Sequence, residues 1–144
     1  MKYFQIFTFA MLFFSACQAQ NGQDDSMMTA QAGNKIEVID FYTTHRCVTC
    51  LKIEDNTKKL LESSFKKEMD NGVITFKTVN VDEKANYEMA ERYEAASTAL
   101  FLNVVKDGKE KHIDLTEFAF MKAFDEEEFA NELKAKIGEQ LKAL

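Results

Sequence analysis

The sequence has no proline, five glycines, two histidines and three cysteines in 144 residues. Without proline there is no X-Pro bond, and a cis peptide would cost about 2.5–4 kcal/mol. With so little glycine there is no Gly-rich phosphate-binding loop, so a flavin or nucleotide site of the chain's own is not expected. Lysine and arginine total 18 against 24 acids, and the cations are mixed with glutamates along helix-like stretches. Nucleic acid, which is gripped by clustered Lys and Arg, is therefore excluded as a partner. No clean run of 18 apolar residues occurs, which excludes an ordinary transmembrane helix. No internal repeat is visible. What remains is 46% hydrophobic, enough for one small core.

The first twenty residues differ in kind from the rest. Lys2 precedes an apolar run from Ile6 to Phe14, followed by the small residues Ser15, Ala16 and Cys17. A basic start, an apolar stretch and a small-residue end predict a signal peptide over 1–16. Phe14-Ser15-Ala16-Cys17 resembles a bacterial lipobox, with Phe14 where that motif usually has Leu. Cys17 would then be the lipid-attachment residue, placing a lipoprotein on the periplasmic side of a bacterial membrane. The alternative is ordinary cleavage after Ala19, giving a soluble periplasmic protein. Either way the mature chain keeps only Cys47 and Cys50 as thiols, in an exported setting where disulfide exchange is possible. Residues 17–34 are polar, small and aperiodic, and read as a flexible tether. The domain occupies 35–144.

Within the domain, Ile36–Tyr42 reads as a first strand, apolar enough to be covered on both faces. Thr43 and Thr44 end it and are positioned to cap the next helix. From Cys47 to about Met69, Ile53, Thr57, Leu60, Leu61, Ser64 and Phe65 recur at helical spacing. Asp70-Asn71-Gly72 is a stop. Val73–Val79 is a second strand, and Asp82 opens a short helix through Tyr93. Thr98–Val105 and Glu110–Asp114 are strands joined by a turn at Asp107-Gly108. Leu115–Phe124 predicts a short helix, with Phe118, Phe120, Met121 and Phe124 as core residues. Asp125 caps a last helix that presents Phe129, Leu133, Ile137 and Leu141. The first two strands are expected parallel, because a helix crosses between them. The result is an α/β fold: a four-stranded mixed sheet, order 2-1-3-4, with helices on both faces.

The chemistry is concentrated in Thr44-His45-Arg46-Cys47-Val48-Thr49-Cys50, a Cys-x-x-Cys pair at a strand-to-helix junction. A helix N-terminus stabilises a thiolate through unpaired N–H groups and the helix dipole. Arg46 adds a fixed charge, and His45 another when protonated. Cys47 is the expected attacking thiol, and Cys50, one turn in, the resolving one. Two other readings stand beside this. A structural disulfide would close only a two-residue loop and constrain little. A metal site would have His45, Cys47 and Cys50 as three ligands, where closed zinc sites use four. Leu51, where a c-type haem motif needs His, excludes that cofactor. His45 and His112 are expected at the surface.

The pair at the start of the first helix, in a βαβαββα order, resembles the thioredoxin-like superfamily. More narrowly, Arg46-Cys47-Val48-Thr49-Cys50-Leu51-Lys52-Ile53-Glu54 and Asp114-Leu115-Thr116-Glu117-Phe118-Ala119-Phe120 resemble the nitrophenyl-compound nitroreductase subunit ArsF family. The resemblance covers about Lys35 to Ile137. It implies an exported thiol–disulfide oxidoreductase or electron carrier with no cofactor beyond its redox-active disulfide. The implied partner is another redox protein or an oxidised exported protein, with a membrane reached through the lipid anchor. The alternative is a dithiol binding module for a thiophilic metal ion or trivalent arsenic. The chain departs from thioredoxins in having Arg46 where they have Trp, and Val48-Thr49 where they have Gly-Pro. Thr98 stands where they carry a cis-proline, and its peptide is expected trans. Thioredoxins also keep an acid beneath the disulfide. Asp40 is the matching residue, one residue farther from the first Cys, and is read either as that proton acceptor or as a half-exposed strand residue.

Overall fold

The computed structural model describes residues 33–144. The expected signal segment 1–16, its alternative end at 19, Cys17 and nearly all of the tether lie outside the described residues. Strand β1 is Lys35–Tyr42, rich in β-branched and aromatic residues, and Ile36, Val38, Ile39, Asp40 and Phe41 are all buried. β2 (Ile74–Asn80) lies parallel to β1, with Ile36 opposite Ile74. On the other side β3 (Ala99–Lys106) is antiparallel to β1, with Phe41 opposite Ala99. β4 (Lys109–Asp114) closes an antiparallel hairpin with β3. The sheet order is β2-β1-β3-β4, the mixed order expected from the sequence. Asp107 and Gly108 both have positive φ (51° and 74°), the two-residue turn that suits the strand twist.

Helices cover both faces. α1 (Val48–Ser64), α2 (Lys66–Asp70), α3 (Tyr87–Arg92), α4 (Thr116–Lys122) and α5 (Glu126–Ala143) come in chain order, with a 3-10 turn at Lys84–Asn86. Alternate residues of β1 point to opposite faces. Ile36 and Val38 join Leu100, Leu102 and Val104 beneath α1, α4 and α5. Ile39 and Phe41 join Val79, Phe101 and Tyr93 on the α3 side. There Phe41, Tyr93 and Phe101 pack as an aromatic trio, with centroids 5.3–5.8 Å apart. α5 buries Phe129, Leu133 and Ile137 completely, and its Asp125 cap accepts from the Glu128 amide at 3.0 Å. Among the described residues no helix is long and apolar enough to cross a membrane.

Three expectations are corrected. The first helix does not run to Met69: Phe65 leaves the helical region (φ −129°, ψ 20°) so that its ring can enter the core, and a separate turn, α2, comes after it. Thr43 and Thr44 do not cap α1; Cys47 does, through its own sulfur. Phe120, Met121 and Phe124 are not core residues but 41%, 67% and 69% exposed. α4 turns Leu115, Phe118, Ala119 and Ala123 inward. At 100° per residue, positions 120, 121 and 124 must then fall on the outer side.

Candidate functional site

Cys47 ends the β1–α1 connection in an extended conformation (φ −81°, ψ 164°), the usual geometry of a helix N-cap. Its sulfur takes the role a Ser or Asp oxygen plays elsewhere, accepting the Cys50 amide at 3.1 Å. Its carbonyl accepts the first helical bond, from the Leu51 amide. Cys47 and Cys50 are joined as a disulfide, with Cα atoms 5.1 Å apart. Cys47 is exposed and Cys50 is 5% exposed. Val48 and Leu51, both largely exposed, flank the pair with apolar surface. The two cysteines of the pair therefore differ sharply in exposure. When the bond is reduced, the α1 N-terminus is positioned to stabilise a thiolate at Cys47.

Arg46 is next to Cys47 in sequence, but its guanidinium turns inward. Nη2 donates to Asp40 Oδ2 at 3.1 Å and, more weakly, to the Cys50 carbonyl at 3.4 Å. Nη1 pairs with Glu54, which also pairs with Lys58. The guanidinium lies 4.5 Å from the centre of the Tyr42 ring, a cation–π distance. Asp40 is not half-exposed: it is completely buried, and its Oδ1 has no hydrogen-bond partner among the described residues. Burial pushes its carboxyl up to about 7; Arg46 pulls it down and the Glu54 charge pushes it up again. Glu54 goes the other way. Burial acts to raise it, but hydrogen bonds from Lys58 and Arg46 outweigh that and hold it below its ordinary value.

The remaining expected residues are more scattered. His45 is exposed, as expected, and its carbonyl accepts from Thr43 Oγ1 at 3.1 Å. Asp82 accepts the Thr44 amide at 2.7 Å, bracing the turn that leads to Cys47. Thr98 is buried just before β3. Because Ala99 pairs with Phe41, Thr98 sits at the end of the sheet from which the Cys47 turn departs. It borders an open cleft of about 430 Å³ lined also by Tyr93, Ser97, Asp114 and Thr116. All peptides of the described residues are trans, Thr98 included. His112 is half-buried rather than on the surface, stacked on Tyr93 at 3.9 Å on the α3 side of the sheet. It does not join His45 and the cysteines, and no group of three or more potential metal ligands forms among the described residues.

Glu54 and Asn56 were not among the expected site residues. Glu54 had a readable signal: it lies four residues after Cys50, hence on the same helical face. Asn56 had none, because its partner, the Ala123 carbonyl, is 67 residues away.

No protein-family model matches the sequence, and no curated protein matches it. Solved structures do. One is titled "X-ray structure of Fasciola hepatica thioredoxin", at 23% identity and TM-score 0.41, covering 65% of this chain and 81% of that one. Another is titled "Structure of a malarial protein", at 20% identity and TM-score 0.40, covering 62% of this chain and 96% of that one. At these values the fold rests on the strand order and directions above. The Cys47–Cys50 pair within that fold supports a thiol–disulfide redox role.

Proposed function

We propose that this chain is an exported thiol–disulfide oxidoreductase or electron carrier that works through Cys47 and Cys50. The observation that supports it best is the asymmetry of the pair: an exposed cysteine at a helix N-cap, with its partner buried one turn in. A structural staple has no need of that asymmetry, whereas exchange does. The Cys47 thiolate attacks a partner disulfide, and one partner sulfur leaves with the electron pair. Cys50 then attacks Cys47 and releases the second partner sulfur, so that the partner is reduced and the pair oxidised. The partner is another redox protein or an oxidised exported protein, and the disulfide is the redox group, with no flavin of the chain's own.

Membership of the ArsF family, residence on the periplasmic side and lipid attachment at Cys17 belong to the same reading, supported by the sequence motifs. Palmitate labelling of the wild type but not of Cys17→Ser tests the anchor. The central test is turnover of a model disulfide such as insulin with dithiothreitol as reductant. Turnover by the wild type and none by Cys47→Ser is expected. A pair that resists reduction in the folded protein makes it a structural bridge. Arsenite or a soft metal ion held at one equivalent, without exchange, makes the chain a dithiol binding module instead.

A further inference from the structure

Asp40 meets α1 from beneath, and the charges that act on it are few. Arg46 reaches it from the β1–α1 connection, and Glu54 and Lys58 face it from α1. Its strand neighbours, Thr78 on β2 and Leu100 on β3, carry no charge. The Arg46 side chain is 17% exposed, with Asp40 wholly buried on its inner side. The same guanidinium also pairs with Glu54 and touches the Cys50 carbonyl. One cation thus bridges the carboxylate, the backbone of the resolving cysteine and a second acid. Since Arg46 is bonded to Cys47 through the chain, the Cys47 turn and the guanidinium are mechanically linked.

We infer that Arg46 is a positioning residue: its guanidinium, divided between Asp40 and Glu54, sets the pH range over which Asp40 exchanges a proton with the Cys47–Cys50 couple. The inference rests on the redox reading above. In the resolving step the Cys50 S–H bond breaks and its proton passes to Asp40. The Cys50 sulfur bonds to the Cys47 sulfur, and the bond from Cys47 to the partner breaks, with the electron pair leaving on the partner's sulfur. Asp40 must take a proton during this step and give it up afterwards. Arg46 alone would hold Asp40 firmly as a carboxylate and make it a poor acceptor. No cation at all would leave it a neutral acid, with no capacity to accept. Sharing Arg46 with Glu54 sets the carboxyl between these limits, near neutrality.

The opposite charges of Arg46 and Glu54 make the test directional. The Asp40 carboxyl is titrated by carbon NMR in oxidised and in reduced protein, with Asp40→Asn assigning the signal. Arg46→Gln is expected to raise the midpoint by about 1–3 pH units, the usual effect of losing an adjacent opposite charge. Arg46→Lys is expected to restore it. Glu54→Gln is expected to lower it, because it removes an acid and frees Arg46 for Asp40. Should Arg46→Gln fail to fold, the downward shift in Glu54→Gln carries the test. The wild-type midpoint is expected to differ between the oxidised and reduced forms. Midpoints that move together, stay fixed, or coincide in the two forms overturn the inference. Exchange with dithiothreitol, measured separately on the wild type, distinguishes that outcome from failure of the redox reading itself.

Discussion

The guanidinium of Arg46 lies 3.1 Å from the carboxylate of Asp40, six residues earlier in the chain and fully buried. Sequence proximity assigns that charge to Cys47; the fold assigns it to the strand beneath. The thiolate at Cys47 is thus left mainly to the helix N-terminus, which already directs the Cys50 amide at the sulfur. Arg46 acts one layer down, on the buried acid and the Cys50 carbonyl.

The two cysteines should behave differently when each is removed. Cys50→Ser keeps the exposed thiol and lacks the resolving one, so it is expected to accumulate a mixed disulfide with a small disulfide or a partner. Cys47→Ser leaves only a thiol that is 5% exposed and is expected to accumulate none. Intact-mass measurement after incubation with oxidised glutathione reads both. Adducts of equal yield would show that burial does not divide the roles.

Asp40 should make stability depend on pH in the direction opposite to a salt-bridged surface acid. Its carboxyl rises from an ordinary value of 3.8 to about 7 on folding, chiefly through burial. Between those values the folded chain binds more protons than the unfolded chain, so stability falls as pH rises. The contribution is fully present below about pH 4 and lost as pH passes through about 7. Glu37 and Glu54, held below their ordinary values, act in the opposite sense, so the comparison must be with Asp40→Asn. Urea unfolding at pH 4.5 and pH 8 is the measurement. The wild type is expected to gain about 2–4 kcal/mol relative to Asp40→Asn on going to the lower pH. A constant difference would place Asp40 as a permanent carboxylate.

How much of the fold and site was legible in the sequence depends on whether a signal is local. The strand order came from β-branched runs, a crossover helix and an Asp-Gly turn, all contiguous in the chain. The expected roles of Cys47 and Cys50 came from their place at a helix start and their helical spacing. What could not be read was which way Arg46 turns, because that choice lies between a sulfur one residue away and a carboxylate whose burial only the assembled fold creates. Asp40 misled for the same reason. An acid in a strand is ordinarily solvent-facing, and only α1 and Arg46 overhead make its burial tolerable. Phe120, Met121 and Phe124 misled differently: with Phe118 they make four large apolar side chains in a short stretch, which suggests core, but so short a helix has only one buried stripe.

That difference between Phe118 on α4 and Phe124 just past its end predicts unequal tolerance. Phe118 is 8% exposed and packs against Phe129, with ring centroids 5.2 Å apart, whereas Phe124 is 69% exposed. Phe118→Ala is expected to cost about 3–5 kcal/mol, the usual range for a buried aromatic. Phe124→Ser is expected to stay within about 0.5 kcal/mol. Thermal melts of the two variants side by side decide it, and equal losses would mean that the Phe124 ring is packed in solution.

A last expectation concerns the contacts that hold α4 in place. The helix is only seven residues long, its Leu115 cap has no side-chain acceptor, and at its start the Thr116 amide is met instead by Asp114 Oδ1 at 2.8 Å. Its C-terminal end is met from α1: Asn56 is buried and donates Nδ2 to the Ala123 carbonyl at 2.9 Å, a group the helix itself leaves unpaired. Asn56→Ala removes the donor and leaves that carbonyl without its partner, which is expected to cost about 1–3 kcal/mol. Asn56→Asp is expected to cost more, since it replaces the donor with an acceptor facing another acceptor and buries a charge. Asn56 is six residues past Cys50, on a part of α1 that does not touch the disulfide. Exchange per folded molecule should therefore be unchanged in Asn56→Ala while the unfolding midpoint falls. The measurement is a denaturant titration paired with the insulin assay at low denaturant. A loss of exchange in fully folded Asn56→Ala would mean that α4 itself supports the site.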